Sequence, residues 1–261
     1  MNSPGVCLQL DIGNTRAKWR LVNGNKVISR GDYRPNDESS QQRLLNCCES
    51  LDHIWISSVT TAASELLLSR LLENQWGIAP WFARSESRTG SLMNSYEEPG
   101  RMGVDRWLAM LGGRERKKSR LCVIDNGSAL TIDIVSADGR HEGGYIIPGA
   151  ALMERALLLD TDRVRFDEEV GYGLSPGTST AHAVRHGIAL AQAGAITLAL
   201  EQAASEPMAI LFCGGAGQSL MELVDRGGEV VPDLVFEGLE VMAAELSKKG
   251  LIAAGINPDI G

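Results

Sequence analysis

The sequence predicts an α/β protein built twice, and three observations carry that prediction. An Asp-x-Gly turn closes an apolar strand at Asp11 to Gly13 and again at Asp125 to Gly127, 114 positions later for both residues. A hairpin signal follows each turn, Asn23-Gly24 and Asp138-Gly139, with 115 positions between the two glycines. Each half then passes into alternating helical and strand patterns. A chain of 261 residues is long enough for two domains with cores of their own, expected at 1–118 and 119–261. A duplicated domain with a mixed sheet, and a cleft between the copies, follows from this order.

The first copy opens with a strand from Val6 to Leu10, the turn, a second strand from about Arg16 to Val22, and a third near Val27. "HIWISSV" is then expected as a strand, "AASELLLSRLLENQW" as an amphipathic helix, "PWFAR" as a short strand and "VDRWLAMLGGRERK" as a helix with a basic end. The second copy repeats the three-strand meander from Leu121 to Ile147. It continues with "AALMERALLL" and "TSTAHAVRHGIALAQAGAITLALEQAA" as helices, "MAILFC" as a strand and "GQSLMELVDR" as a helix. "EVVPDLVF" is expected as a strand, and "EGLEVMAAELSKKG" as a helix closed by Gly250.

Composition narrows the function classes. Hydrophobic residues make up 44% and charged residues 22%, close to globular averages, so an ordered soluble protein is expected. The net charge of −8 disfavours a nucleic-acid backbone or an anionic membrane as partner. Arg114, Arg116, Lys117, Lys118 and Arg120 form the one basic cluster, expected to be a solvated helix end. Five cysteines without a CxxC pair read as reduced residues of a cytosolic protein. No basic-then-apolar N-terminus and no uninterrupted apolar run of membrane-spanning length supports a leader or a span.

The turns can do chemistry. A tight Gly turn between strands aims backbone N–H groups into one small space, a nest suited to phosphate. Asn14, Thr15 and Lys18 add amide, hydroxyl and ammonium to the first turn; Ser128 and Thr131 add hydroxyls to the second. Asp11 and Asp125 could hold cations that neutralise phosphate oxygens. A single such turn would more often be a hairpin with Asp in an Asx-turn, and it is the repetition that favours phosphate. "FCGGAGQS" places glycines between a strand and a helix, open to a flat ligand such as adenosine or to an ordinary strand-to-helix turn. In "MGVDRW", Asp105 and Arg106 start a helix, which fits capping as well as a carboxylate–guanidinium pair on a polar substrate.

Two other patterns lead elsewhere. "GLSPG" (173–177) has the G-x-S-x-G spacing of a serine hydrolase, but no acid lies between Ser175 and the later His182 and His186. Those two histidines stand four apart, a metal-ligand spacing, without the Glu of an HExxH motif.

"DIGNTRAK", "GVDRW", "DNGSALTID", "GGYIIPG" and "GTSTAHAVRHG", in that order, resemble type III pantothenate kinases, the group that includes the Bvg accessory factor homologues. The resemblance spans nearly the whole chain. It implies a duplicated actin-like ATPase fold (acetate and sugar kinase/Hsp70/actin) and ATP-dependent phosphorylation of pantothenate at its primary hydroxyl, the first step of coenzyme A synthesis. It also implies a cytoplasmic homodimer. Carried over by motif, Asp11, Ile12, Gly13, Asn14, Thr15, Arg16, Ala17 and Lys18 hold the ATP phosphates, with Asp11 near Mg²⁺, and Ser128 contacts ATP where the family more often has Thr. Asp105 is the general base. Gly103, Val104, Asp105 and Arg106 line pantothenate with Tyr96 and Thr180, and Asp125 ligates a monovalent cation, K⁺ or NH₄⁺. The competing expectation is a non-catalytic regulatory accessory protein that keeps the fold, for which an eroded Asp11, Lys18 or Asp105 would be the sign.

Overall fold

The computed structural model describes residues 5–14 and 16–250. The chain opens with strands β1 (Val6–Ile12), β2 (Ala17–Asn23) and β3 (Lys26–Tyr33), followed by α1 (Glu38–Leu45), β4 (His53–Ser58), α2 (Ala62–Trp76) and β5 (Trp81–Phe82). The two-residue strands β6 (Arg88–Thr89) and β7 (Leu92–Met93) precede α3 (Val104–Arg116). The second meander is β8 (Leu121–Asn126), β9 (Ala129–Val135) and β10 (His141–Pro148). It leads to α4 (Ala150–Asp160), α5 (Thr180–Gln202), β11 (Ala209–Cys213), α6 (Gly217–Val224), β12 (Glu229–Val230) and α7 (Leu234–Lys248).

The repeat seen in the sequence is a repeat of topology. The two five-stranded sheets run β3-β2-β1-β4-β5 and β10-β9-β8-β11-β12, each with an antiparallel meander on one side and parallel strands on the other. By contact the chain divides into two compact units. The first takes residues up to Gly90, Tyr96–Glu115 and those from Val235 on; the second takes Ser91–Ser95 and Arg116–Leu234. Units follow contact rather than chain order, so α7 belongs with the first sheet.

Alternation along each strand sorts the side chains to two faces. In the first unit Leu8, Leu10 and Ile12 share a core with Ile54, Ile56, Leu44, Leu68 and Leu72, on the side of α1 and α2. Gln9 and Arg20 occupy the opposite face and are tied to α7: Arg20 donates to Gln9 Oε1 at 2.7 Å and to Glu240 Oε1 at 2.9 Å. Helices α7 and α3 approach so closely that a Cβ on Gly238 would lie 1.8 Å from the Leu108 carbonyl oxygen. In the second unit Ile124, Leu130, Ile132 and Phe212 pack with Ala193, Ile196 and Leu200 of α5 and Leu220 of α6. Helix α5 is long and apolar enough to cross a membrane, and 39% of its most apolar window is buried. Part of that apolarity is what the sheet requires of a core helix.

Two local outcomes differ from expectation. The sequence predicts a strand over 229–236, yet only Glu229–Val230 pairs, and Leu234 already starts α7. Pro232 has no N–H for the ladder, and Leu234, Val235 and Leu239 are buried at helical spacing. Helix α1 is an addition: Asp37 caps it, its Oδ1 accepting from Ser39 N at 3.0 Å and Ser40 N at 3.2 Å.

Candidate active site

In the first unit Asp11 lies near the end of β1, in register with Lys18 on β2 and with Ser57 on β4. Directly paired residues share a sheet face, so carboxylate, ammonium and hydroxyl stand side by side. The turn beyond is closed by Gly13 N donating to Arg16 O at 3.0 Å. Ile12 and Ala17 are buried, Gly13 is half-buried, and Asn14 and Arg16 are exposed; Thr15 lies outside the described residues. The Ser57 hydroxyl is buried without a hydrogen-bond partner at its oxygen.

The segment leading into α3 belongs to the same unit. Asp105 Oδ1 accepts the Arg106 N–H at 2.8 Å, and a Cβ on Gly103 would come within 2.6 Å of that oxygen. Glycine is therefore what lets the carboxylate fold back over the helix start while remaining half-buried. Val104 and Arg106 are buried. Arg106 Nη1 donates to the Tyr96 hydroxyl at 2.9 Å, and its guanidinium carbon lies 5.8 Å from the centre of the Tyr96 ring. Tyr96, Gly103, Val104, Asp105 and Arg106 thus form one local group.

In the second unit Asp125 holds the position of Asp11, near the end of β8, in register with Thr131 on β9 and Cys213 on β11. The turn is closed by Gly127 N donating to Ala129 O at 2.9 Å, and Ser128 at its tip is exposed. Two further glycines wall it in. A Cβ on Gly214, whose φ is +80°, would lie 2.3 Å from Asp125 Oδ1 and 2.5 Å from the Asn126 carbonyl; one on Gly149 would lie 2.5 Å from the carbonyls of Gly127 and Ser128. The glycine in "FCGGAGQS" therefore makes room for the Asp125 carboxylate, a role that spacing within one motif does not reveal. Thr180, also in this unit, is exposed at the first position of α5, where Ser179 caps the helix. It borders an apolar groove of about 1050 Å³ between α4 and α5.

The remaining motifs find ordinary partners. "GLSPG" is a loop, with the carbonyl of Ser175 2.6 Å from His186 Nδ1. The rings of His182 and His186 meet edge to face at 5.2 Å, and His182 Nδ1 lies 2.9 Å from the Ser179 hydroxyl. Among the described residues no group of three or more His, Cys, Asp or Glu could hold a metal ion. In the basic run Arg114 is buried, Arg116 and Lys117 pair with Glu229, and Arg120 with Glu142. The described cysteines are free, and burial pushes the thiols of Cys47 and Cys122 up to about 12.

Comparison with known proteins gives the family and the fold. The chain is 36% identical to the type III pantothenate kinase of Ectopseudomonas mendocina over 90% of its own length and 98% of the relative's. It is 34% identical to that of Marinobacter nauticus over 92% and 98%. Among solved structures it is similar to a Baf-family protein of Campylobacter jejuni (23% identity, TM-score 0.58, covering 93% of this chain and 98% of that one). A second is the activator of the 2-hydroxyisocaproyl-CoA dehydratase from Clostridium difficile (11% identity, TM-score 0.54, covering 97% and 99%). The fold is that of the actin-like ATPases and sugar kinases. The family model described as type III pantothenate kinase matches residues 7–202, and this chain belongs to that family.

Proposed function

We propose that this protein transfers the γ-phosphoryl group of ATP to the primary hydroxyl of pantothenate, the first step of coenzyme A biosynthesis. The family match over residues 7–202 carries this reading, with Asp11, Lys18 and Asp105 all in place within it. An accessory protein free of catalytic demand would have no reason to retain all three.

In this reading Asp105 accepts the proton of the attacking hydroxyl. Gly103, Val104 and Arg106 bind the polar groups of pantothenate, with Tyr96 beside Arg106 and Thr180 as a further contact. The turn from Asp11 through Ile12, Gly13, Asn14, Thr15, Arg16 and Ala17 to Lys18 cradles ATP phosphates, and Ser128 contacts ATP. Lys18 offsets charge that spreads over the phosphoryl oxygens. Asp11 would hold Mg²⁺, which supplies electrostatic stabilisation of the phosphates. A single carboxylate suits an ion that keeps waters and phosphate oxygens as its other ligands. Asp125 would hold K⁺ or NH₄⁺, with backbone carbonyls such as that of Asn126 nearby as hard oxygen donors.

Replacing Asp105 by Asn is expected to lower kcat by about 10²- to 10⁴-fold without changing the melting temperature. A coupled ATP-consumption assay with pantothenate, run in K⁺, NH₄⁺ and Na⁺, measures it; near-normal kcat would sink the assignment, and no activity of the parent enzyme in any salt would revive the accessory-protein reading.

A homodimer is part of the proposal. Leu159, Leu190 and Leu198 on α4 and α5 are 71%, 60% and 56% exposed, apolar side chains that a second copy would cover. Light scattering on the purified protein should give twice the chain mass, and Leu190→Glu should halve it. Five cysteines without a CxxC pair support a cytoplasmic setting, and the ion-paired basic run supports the absence of nucleic acid among the partners.

A further inference from the structure

The second sheet holds a buried ionisable couple that the proposed reaction does not use. Asp133 on β9 and His141 on β10 are 1% and 0% exposed, and His141 Nε2 lies 3.0 Å from Asp133 Oδ1. The other ring nitrogen, Nδ1, lies 2.8 Å from the hydroxyl of Ser95, which is exposed. A carboxylate only accepts, so Nε2 carries a proton, and in the neutral ring Nδ1 then accepts from the Ser95 O–H. Carboxylate, imidazole and hydroxyl then form one satisfied chain from the interior to the surface.

The segment ending at Ser95 is docked along its length. Leu92 is fully buried, and Met93 N donates to the Gly139 carbonyl at 2.9 Å, on the loop that leads into His141. The next residue is Tyr96, whose hydroxyl accepts from Arg106. The Asp133–His141 couple therefore holds the Ser95 side chain, one residue before Tyr96, where the chain passes from the second unit to the first.

We infer that His141, oriented by Asp133, is a positioning residue for pantothenate binding: it holds Ser95 and through it the placement of Tyr96 and Arg106. This rests on the assignment of Tyr96 and Arg106 to pantothenate. A buried couple that served stability alone would have no need to end on an exposed hydroxyl. The order of groups is also that of an activated serine nucleophile, which makes covalent reactivity of Ser95 a distinct and testable outcome.

The test uses the full chain with Ser95→Ala, Ser95→Thr and His141→Gln. Loss of one neutral hydrogen bond should raise the KM for pantothenate roughly five- to tenfold in Ser95→Ala. Its kcat and KM for ATP should stay within about twofold, and Ser95→Thr, which keeps the hydroxyl, should restore the KM. His141→Gln should move the same constant in the same direction. Hydrogen exchange of the amides from Tyr96 to Arg106 should quicken in Ser95→Ala and return in Ser95→Thr, a readout that needs no substrate. Unchanged pantothenate KM and unchanged exchange in Ser95→Ala would overturn the inference, as would equal loss for both substrates or stoichiometric labelling of Ser95 by a fluorophosphonate. Failure of the parent enzyme to phosphorylate pantothenate would remove the substrate assignment, while the exchange result would still decide whether His141 and Ser95 hold this segment.

Discussion

The two meanders are the same device built with different parts. Asp11 and Asp125 occupy matching places, but the first turn closes by Gly13 N to Arg16 O and the second, shorter by one residue, by Gly127 N to Ala129 O. The longer loop carries exposed Asn14 and Arg16 and pairs Asp11 with a lysine; the shorter one presents only Ser128 and pairs Asp125 with Thr131. Two strand positions further in, on the same face, Gln9 pairs with Arg20 and Val123 with Asp133, so a buried cation in one copy answers a buried anion in the other. Arg20 is ion-paired with Glu240 of α7, and Asp133 is hydrogen-bonded to His141. Duplication preserved the backbone, while the partners that satisfy each buried group diverged. Such groups are costly only when unpaired, and either sign can be paired.

The comparison is broken most severely at the carboxylates. Asp11→Asn should cost kcat about a hundredfold or more if this turn faces the transferred phosphate. Asp125→Asn should cost less and should flatten the difference between K⁺ and Na⁺; steady-state kinetics in each salt separates the two. Equal effects with no change in salt dependence would mean that the copies share one role.

The next largest effect is on stability. Gly214→Ala forces a Cβ against Asp125 at a left-handed φ of +80° and is expected to cost about 3 kcal/mol or more by denaturant titration. Gly13→Ala meets only the Arg16 carbonyl at 3.1 Å, with no left-handed φ, and should cost about 1 kcal/mol or less. A reversed order would show that the first turn is the more constrained one.

The smallest concerns a clasp found in the second copy. Arg185 on α5 holds both oxygens of Glu154 on α4 at 3.1 Å, and its hydrogen bonds draw the Glu154 carboxyl below its ordinary value of 4.5. A depressed carboxyl contributes stability above its unfolded value and loses it as pH falls through the folded one. Melting temperature should therefore decline slightly on acidification below about pH 4.5, and less steeply in Glu154→Gln. A steeper decline in the variant would reverse the sign and remove the clasp from the account.

Much of this was legible in sequence because it is local. Apolar runs mark β1 and β8, period-two alternation marks β2 and β9, and the Asp-x-Gly turns mark where β1 and β8 end. Asp105 at a helix start was equally readable, although the hydrogen bond to Arg106 N and the need for Gly103 are visible only in three dimensions. Helix α1 carries a weak sequence signal, the capping Asp37 followed by Ser39 and Ser40, because its eight residues have little apolar periodicity. The segment 229–236 departs from the expected strand because two adjacent valines favour pairing, whereas Pro232 interrupts the ladder and Leu234 and Leu239 are buried in a helix.

By itself the sequence determined the duplication, the strand meanders with their carboxylate-bearing turns, and the family to which the chain belongs. Each depends on residues near one another in the chain or on motifs in a fixed order. Tertiary structure alone decided that α7 packs with the first sheet through Glu240 and Arg20, that Gly214 makes room for Asp125, and that Asp133 reaches Ser95 through His141. Those links join residues 220, 89 and up to 46 positions apart, where no local periodicity can encode a partner and only the cost of burying an unsatisfied polar group selects one.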